Sequence, residues 1–172
     1  QPAVYADAIA GTMSNLLLKQ SLMPPRLVIE PGRAIVARAG VALYTVGALK
    51  DIPGVRSFVC VDGGMSDNIR PPLYGARYEA MVANRPAEPD GVTVTIAGKL
   101  CESGDILVKD IQLPRVVPGD VIAIPVCGAY CIPMASNYNA IPRPAVVFVE
   151  RGRPRVVRRR ETPEDLMRLD AI

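Results

Sequence analysis

Val92-Thr93-Val94-Thr95-Ile96 alternates apolar and polar side chains without a break. That is the pattern of a strand with one face on a core and the other toward solvent. The stretches around it carry the same signature. Residues 41–50 and 55–61 are rich in β-branched and apolar side chains and flank the turn sequence Asp51-Ile52-Pro53-Gly54. Residues 105–113, 120–126 and 145–149 read as three more strands. Val117-Pro118-Gly119-Asp120 and a proline-bearing loop over 133–144 separate them. Arg151-Gly152-Arg153-Pro154 reads as a hairpin turn into a last strand over 155–159. Many short strands with Gly and Pro between them predict an antiparallel barrel or sandwich over residues 41–172.

The first forty residues have a different character. Val4, Ala8, Ile9, Met13, Leu16 and Leu17 fall on one face of a helix over 4–20. Met23-Pro24-Pro25 ends it, and residues 26–30 read as a short buried strand. Helix then strand is an αβ unit of the kind that closes an α/β barrel, and residues 34–39 add a further helical turn or two. The chain ends on another helix start, with Thr162 as N-cap, Pro163 in the first position and acids in the first turn. The expected division lies near residue 40: an αβ piece over 1–40 and a β domain over 41–172.

Composition narrows the chemistry. Of 172 residues, 49% are hydrophobic, enough for a packed core. There is no histidine, which removes Ser-His-Asp and Cys-His catalysis and every His-containing zinc site from this chain. Cys60, Cys101, Cys127 and Cys131 form no C-x-x-C pair. With no secretory signal they read as reduced thiols of a cytoplasmic protein, and no metal site is expected. No apolar run is long enough to span a membrane. The net charge of +3 is too mild to predict nucleic-acid binding. The arginine-rich residues 151–160 read as an exposed strand with a solvated face. A first residue of Gln rather than Met suggests that something upstream has been removed.

Four segments concentrate groups able to do chemistry. Glu30-Pro31-Gly32-Arg33 emerges at the end of the expected strand. Its glycine admits a ligand to the backbone, and its arginine can clamp a carboxylate; taken alone it is also an ordinary tight turn. Residues 61–74, VDGGMSDNIRPPLY, enter a long polar loop that offers Arg70 and Tyr74 as an anion clamp and a hydroxyl. Cys101-Glu102-Ser103-Gly104-Asp105 crowds a thiol and carboxylates into one turn. Gly128-Ala129-Tyr130 places a phenol after a strand.

In this order the four segments resemble those of diaminopimelate decarboxylases, members of the alanine-racemase-like class of pyridoxal-phosphate (PLP) decarboxylases. The similarity extends to the closing R-R-R-E-T-P-E-D-L. The resemblance implies a PLP-binding (β/α)8 barrel, of which residues 1–40 are the end, joined to a C-terminal β domain. It places Glu30, Pro31, Gly32 and Arg33 at the cofactor phosphate, with Arg33 also reaching a substrate carboxylate. Arg70 and Tyr74 would bind substrate, and Tyr130 would touch both cofactor and substrate. Cys101 would be the proton donor and Glu102 the partner of the distal ammonium group, both reaching into the site of the second subunit of a homodimer.

The implied reaction converts meso-2,6-diaminopimelate to L-lysine and CO2. The cofactor-bearing lysine and phosphate loop of the family lie upstream of residue 1. None of Lys19, Lys50, Lys99 or Lys109 sits in a comparable segment. The chain alone is therefore expected to be inactive. The alternatives are a sister decarboxylase acting on ornithine, arginine or carboxynorspermidine, and a non-catalytic β-domain module.

Overall fold

The computed structural model describes residues 2–85 and 91–171. The chain divides into two compact units, Gln1–Pro31 and Gly32–Ile172, so the division falls ahead of the change in sequence character near residue 40.

The first unit is one helix and an extended tail. Helix α1 spans Pro2–Gln20 and has no buried residue. Ile9, Met13 and Leu17, one turn apart, form a half-buried stripe. The expectation of a helix holds there, but that of a fully buried face does not. The expected strand over 26–30 is absent, and Leu27, Val28 and Ile29 are 54%, 72% and 60% exposed. A strand exists only through its ladder, and these residues pair with no other strand.

In the second unit, helix α2 (Gly32–Val36) and a 3-10 turn (Ala37–Ala39) lead into β1, Val41–Ile52. Then follow β2 (Arg56–Val61), α3 (Arg70–Tyr74), β3 (Met81–Val82), β4 (Gly91–Ala97), β5 (Ile106–Pro114) and β6 (Val121–Pro125). These strands make one sheet in the order β3-β6-β1-β2-β4-β5. Its two outer strands, β3 and β5, approach each other, so the sheet is almost a closed barrel. Closure of this kind limits the exposed edge that would invite aggregation.

β1 is long because it serves two partners. Val41 to Thr45 pair with β6, and from Val46 to Ile52 the strand pairs with β2. The register shifts between Val46 and Ala48, at Gly47, where the strand bends from one neighbour to the other. One pair departs from the antiparallel pattern: β2 and β4 run parallel, with Val59 opposite Ile96. A parallel pair needs a long crossover, and α3 and β3 lie within it. The strand quoted first is more enclosed than its alternation predicts. Thr95 is buried along with Val94 and Ile96, and its hydroxyl is satisfied there by Asp110 on β5.

The remaining elements are short: α4 (Cys131–Met134), a 3-10 turn (Tyr138–Ala140), the separate hairpin of β7 (Val146–Glu150) and β8 (Arg153–Arg158), and α5 (Pro163–Met167). The α5 cap forms as the sequence predicts. The Asp165 carboxylate accepts the Thr162 N–H at 2.8 Å, and Arg159, also bound to Asp165, holds that carboxyl far below the usual carboxylate range.

Ile96 on β4 and Ile122 on β6 have no exposed surface. Ile96→Ala or Ile122→Ala should each lower stability by about 2–5 kcal/mol, the cost of a core truncation with its cavity. A smaller shift in urea-unfolding free energy would show that the barrel interior collapses to fill the gap.

Candidate active site

The loop between β2 and α3 is built to hold its shape. The Asp62 carboxylate accepts the Thr45 N–H at 2.8 Å, the Asp67 carboxylate accepts the Gly64 N–H at 3.0 Å, and the Asn68 side-chain oxygen accepts the Arg70 N–H at 3.3 Å. Burial raises the Asp67 pKa above its ordinary value. A side chain at position 63 would strike the Tyr44 ring and the Asp67 carboxylate. The double glycine of the sequence is therefore a packing requirement.

This loop delivers Arg70 to the start of α3, where Pro71 and Pro72 occupy positions without helical N–H partners. The Arg70 guanidinium lies 5.4 Å from the centre of the Tyr74 ring and 4.9 Å from that of Tyr130. Two aromatic faces fix the cation and leave its N–H fork free of any carboxylate among the described residues, so it can bind an anion.

Tyr130 reaches this position through an unusual backbone, φ +68°, a conformation that costs a non-glycine residue energy and needs support. The support comes from β-domain residues just after the Gly32 turn. Gly128 donates to the Ala37 carbonyl at 3.0 Å and Cys127 to the Gly40 carbonyl at 2.9 Å. A Cβ on Gly128 would collide with the Val36 carbonyl, and one on Gly40 with the Gly128 backbone. Two glycines thus let the segment after Arg33 press against the loop that carries Tyr130.

Cys101 and Glu102 lie exposed on the turn between β4 and β5. The Glu102 carboxylate accepts the Gly104 N–H and the Tyr138 hydroxyl, each at 3.1 Å. Those two bonds, the Gly104 one foremost, lower its pKa, so it stands as an oriented anion. Gly104 lies beside Pro72, so the thiol-bearing turn abuts α3.

The structure brings Arg70, Tyr74 and Tyr130 into one cluster, with the Cys101–Glu102 turn against the helix that carries two of them. Gly32 and Arg33 open α2, and Arg33 is exposed with no hydrogen bond or ion pair among the described residues. Glu30 and Pro31 belong to the first unit.

Two contributors escaped the sequence reading. Tyr138 was placed only within a proline-bearing loop, although the motif order leaves it the nearest phenol after Tyr130. Asp105 closes the Cys101 segment and reads as a turn acid, yet it is 3% exposed. Its carboxylate accepts the N–H of Met65 at 2.6 Å and of Leu100 at 2.8 Å. Gly64 and Gly98 must lack side chains to make room for it. Asp105 ties the loop that presents Arg70 to the turn that presents Cys101 and Glu102.

Fold and site define a sheet domain that carries an anion clamp beside an exposed thiol and carboxylate. Residues 4–128 match the family model described as the pyridoxal-dependent decarboxylase C-terminal sheet domain, and the chain belongs to this family. Over 166 residues it is 60% identical to the diaminopimelate decarboxylase of Bacillus subtilis (strain 168), a match covering 96% of this chain and 38% of the relative. It is 50% identical over 157 residues to that of Bacillus methanolicus, covering 91% and 36%. A crystal structure of diaminopimelate decarboxylase from M. jannaschii in complex with L-lysine superposes with a TM-score of 0.85 at 41% identity, covering 97% of this chain and 37% of that one. The chain thus spans well under half the length of the relatives it matches.

Asp105→Asn keeps the shape but turns one accepting oxygen toward an N–H as an amide. Stability should fall by about 1.5–3 kcal/mol, the worth of hydrogen bonds to a charged group. Amide exchange should quicken selectively at Met65 and Leu100. Unchanged protection at both would show that the carboxylate does not join the two segments.

Proposed function

We propose that the chain is the carboxy-terminal part of a PLP-dependent diaminopimelate decarboxylase, which converts meso-2,6-diaminopimelate to L-lysine and CO2. The observation that carries the reading is the Arg70 guanidinium, held between two tyrosine rings and open to an anion, with a separate exposed turn able to supply a thiol and an oriented carboxylate to the second site of a dimer. A substrate with an amino and a carboxylate group at each end calls for that set of charges.

The donor set suits the phosphate end of the cofactor. Arg33 and the Tyr130 hydroxyl have no hydrogen-bond partner among the described residues, and nothing lies within 4 Å of where a Gly32 side chain would begin. In this reading Glu30, Pro31, Gly32, Arg33 and Tyr130 hold PLP, with its covalent lysine on a segment outside these 172 residues. Bound PLP supplies an electron sink for the pair left as CO2 departs.

The chain's own residues bind, orient and protonate. Arg33, Arg70 and Tyr74 hold substrate carboxylate and polar groups. Glu102, already anionic, takes the distal ammonium. Cys101 Sγ holds the proton that replaces the departing carboxylate. Cys101 and Glu102 serve the partner's site in a homodimer, a reading supported by their exposure on the turn between β4 and β5. The natural partner is then a small amino acid in the cytoplasm, with no nucleic acid or membrane involved. Among the described residues no helix is long and apolar enough to cross a membrane. A sister activity on ornithine, arginine or carboxynorspermidine is separated by a substrate panel. The non-catalytic module reading rests on the four lysines, none of them in a segment like the family's lysine motif.

In a decarboxylase that carries this chain, Cys101→Ser should lower kcat by about 10²–10⁴-fold with little change in KM. Glu102→Gln should instead raise KM for diaminopimelate more than for a substrate with a single charged end. Steady-state kinetics on the panel decides, and equal losses on all substrates would overturn the assignment of Glu102. The 172-residue chain alone, incubated with PLP and reduced with borohydride, should show no stoichiometric adduct and no turnover; turnover would overturn the view that the lysine lies elsewhere.

A further inference from the structure

The reading above gives Tyr138 no task, although its hydroxyl is one of the groups that orient Glu102. Glu102 is exposed, and no lysine or arginine pairs with it among the described residues. A glutamate in that setting ordinarily samples many rotamers. Here its Oε1 accepts the Gly104 N–H at 3.1 Å and the Ser103 hydroxyl at 3.4 Å. Its Oε2 accepts the Tyr138 hydroxyl at 3.1 Å. Ser103 and Gly104 belong to the same turn as Glu102, whereas Tyr138 comes from a segment 36 residues away. The Tyr138 bond therefore ties the carboxylate to the rest of the domain.

Tyr138 is itself held from both sides. Before it, the Ser136 N–H donates to the Ser66 carbonyl at 2.9 Å, in the loop that leads to Arg70. The Asn137 side-chain amide donates to the Glu161 carboxylate at 2.6 Å and to the Ile141 carbonyl at 3.0 Å. Glu161 is fixed in turn, accepting the Arg143 backbone N–H at 2.8 Å and pairing with the Arg143 guanidinium at 3.3 Å. After it, Asn139 and Ala140 lie at φ +53° and +55°, conformations that persist only where the surroundings impose them. The Tyr138 ring is 43% exposed and adds little to the core, so this bracing serves its hydroxyl.

We propose that Tyr138 is a positioning residue: its hydroxyl holds Glu102 in place for the distal ammonium of the substrate and so sets the preference for a substrate with an amino group at each end. The inference rests on the assignment of Glu102 to that ammonium. With Tyr138 on one oxygen and the Ser103–Gly104 turn on the other, the acceptor positions left open on the carboxylate point in fixed directions. The ammonium then meets an anion that is already ordered and has no cation of its own. The rotamer entropy of Glu102 is lost on folding rather than on binding. Because the Glu102–Tyr138 bond lies within one chain, Tyr138 acts on whichever site Glu102 serves. In the homodimer proposed above that is the partner's site, while Tyr130 stays with its own, so the stretch from Tyr130 to Tyr138 serves both.

The test is Tyr138→Phe, which keeps the ring and removes the hydroxyl, in a decarboxylase that carries this chain. KM for diaminopimelate should rise by about 2–10-fold, the effect of ordering one flexible side chain on binding, with a smaller change in kcat. Decarboxylation leaves the reacting end of the substrate as the ε-amine of L-lysine, so the α-ammonium of L-lysine is the distal one. Inhibition by L-lysine should therefore weaken to the same extent, and inhibition by 6-aminohexanoate, which lacks that ammonium, should not. Equal weakening of both, or a loss in kcat alone, would overturn the proposal. In a Glu102→Gln background Tyr138→Phe should add little; a fully additive effect would show that Tyr138 acts on the substrate itself and not through Glu102. If Glu102→Gln leaves both inhibition constants unchanged, the assignment of Glu102 falls and this proposal with it. If Tyr138→Phe alone is silent, only the proposal falls. A second readout needs no cofactor. In the 172-residue chain labelled with carbon-13 glutamate, the Glu102 carboxyl is held below its ordinary range by the Gly104 N–H and the Tyr138 hydroxyl. It should titrate at higher pH in Tyr138→Phe, and an unchanged titration would show that the hydroxyl does not hold it.

Discussion

The bend in β1 at Gly47 sets the architecture of the sheet domain. A single strand gives its first half to β6 and its second half to β2, and only a break in register lets one backbone satisfy two ladders that diverge. From that bend the sheet curls until β3 and β5 approach, and its concave face fills with Tyr44, Val46, Val59, Ile96, Leu107 and Ile122. Within that sheet β2 and β4 pair in parallel. The crossover this demands is the segment that carries Arg70 and Tyr74. The binding groups thus sit on a connection that the sheet topology makes obligatory.

Connections are normally the mobile part of a fold, and here buried polar contacts hold them still. Asp105 satisfies two backbone donors, Met65 and Leu100, from segments far apart in sequence, in a space that Gly64 and Gly98 leave open. Arg85 and Asp120 do comparable work at the other end of the sheet, where the Asp120 carboxylate also accepts the Val117 N–H at 2.8 Å. Buried carboxylates of this kind are tolerable only when fully hydrogen-bonded. The close passage of Gly40 and Gly128 adds a steric anchor, bringing the chain just after Arg33 against the loop of Tyr130.

Much of the architecture was legible because it is local. Strand periodicity, Gly/Pro turns and the Thr162 cap are properties of a few consecutive residues, and the structure follows them at β1, β2, β5 to β8 and α5. The helix over the first residues was legible for the same reason. Residues 26–30 were misread because an apolar run of that length is compatible with a strand only if another strand lies alongside, which no local pattern reports. The burial of Thr95 escapes its alternation for a similar reason, since it depends on the packing of the sheet around it, where Asp110 of the neighbouring strand satisfies its hydroxyl.

By itself the sequence determined most of the strands, the four chemical segments and the family to which they belong, because each depends on residue types at short spacing. The tertiary structure alone decided which of those groups became neighbours: Arg70 between Tyr74 and Tyr130, Glu102 against Tyr138, Asp105 between two loops. The physical reason is that burial and hydrogen bonding between segments tens of residues apart arise only when strand pairing closes the chain between them. A carboxylate or thiol in the sequence carries no mark of whether that closure will leave it in water or seal it beside a partner.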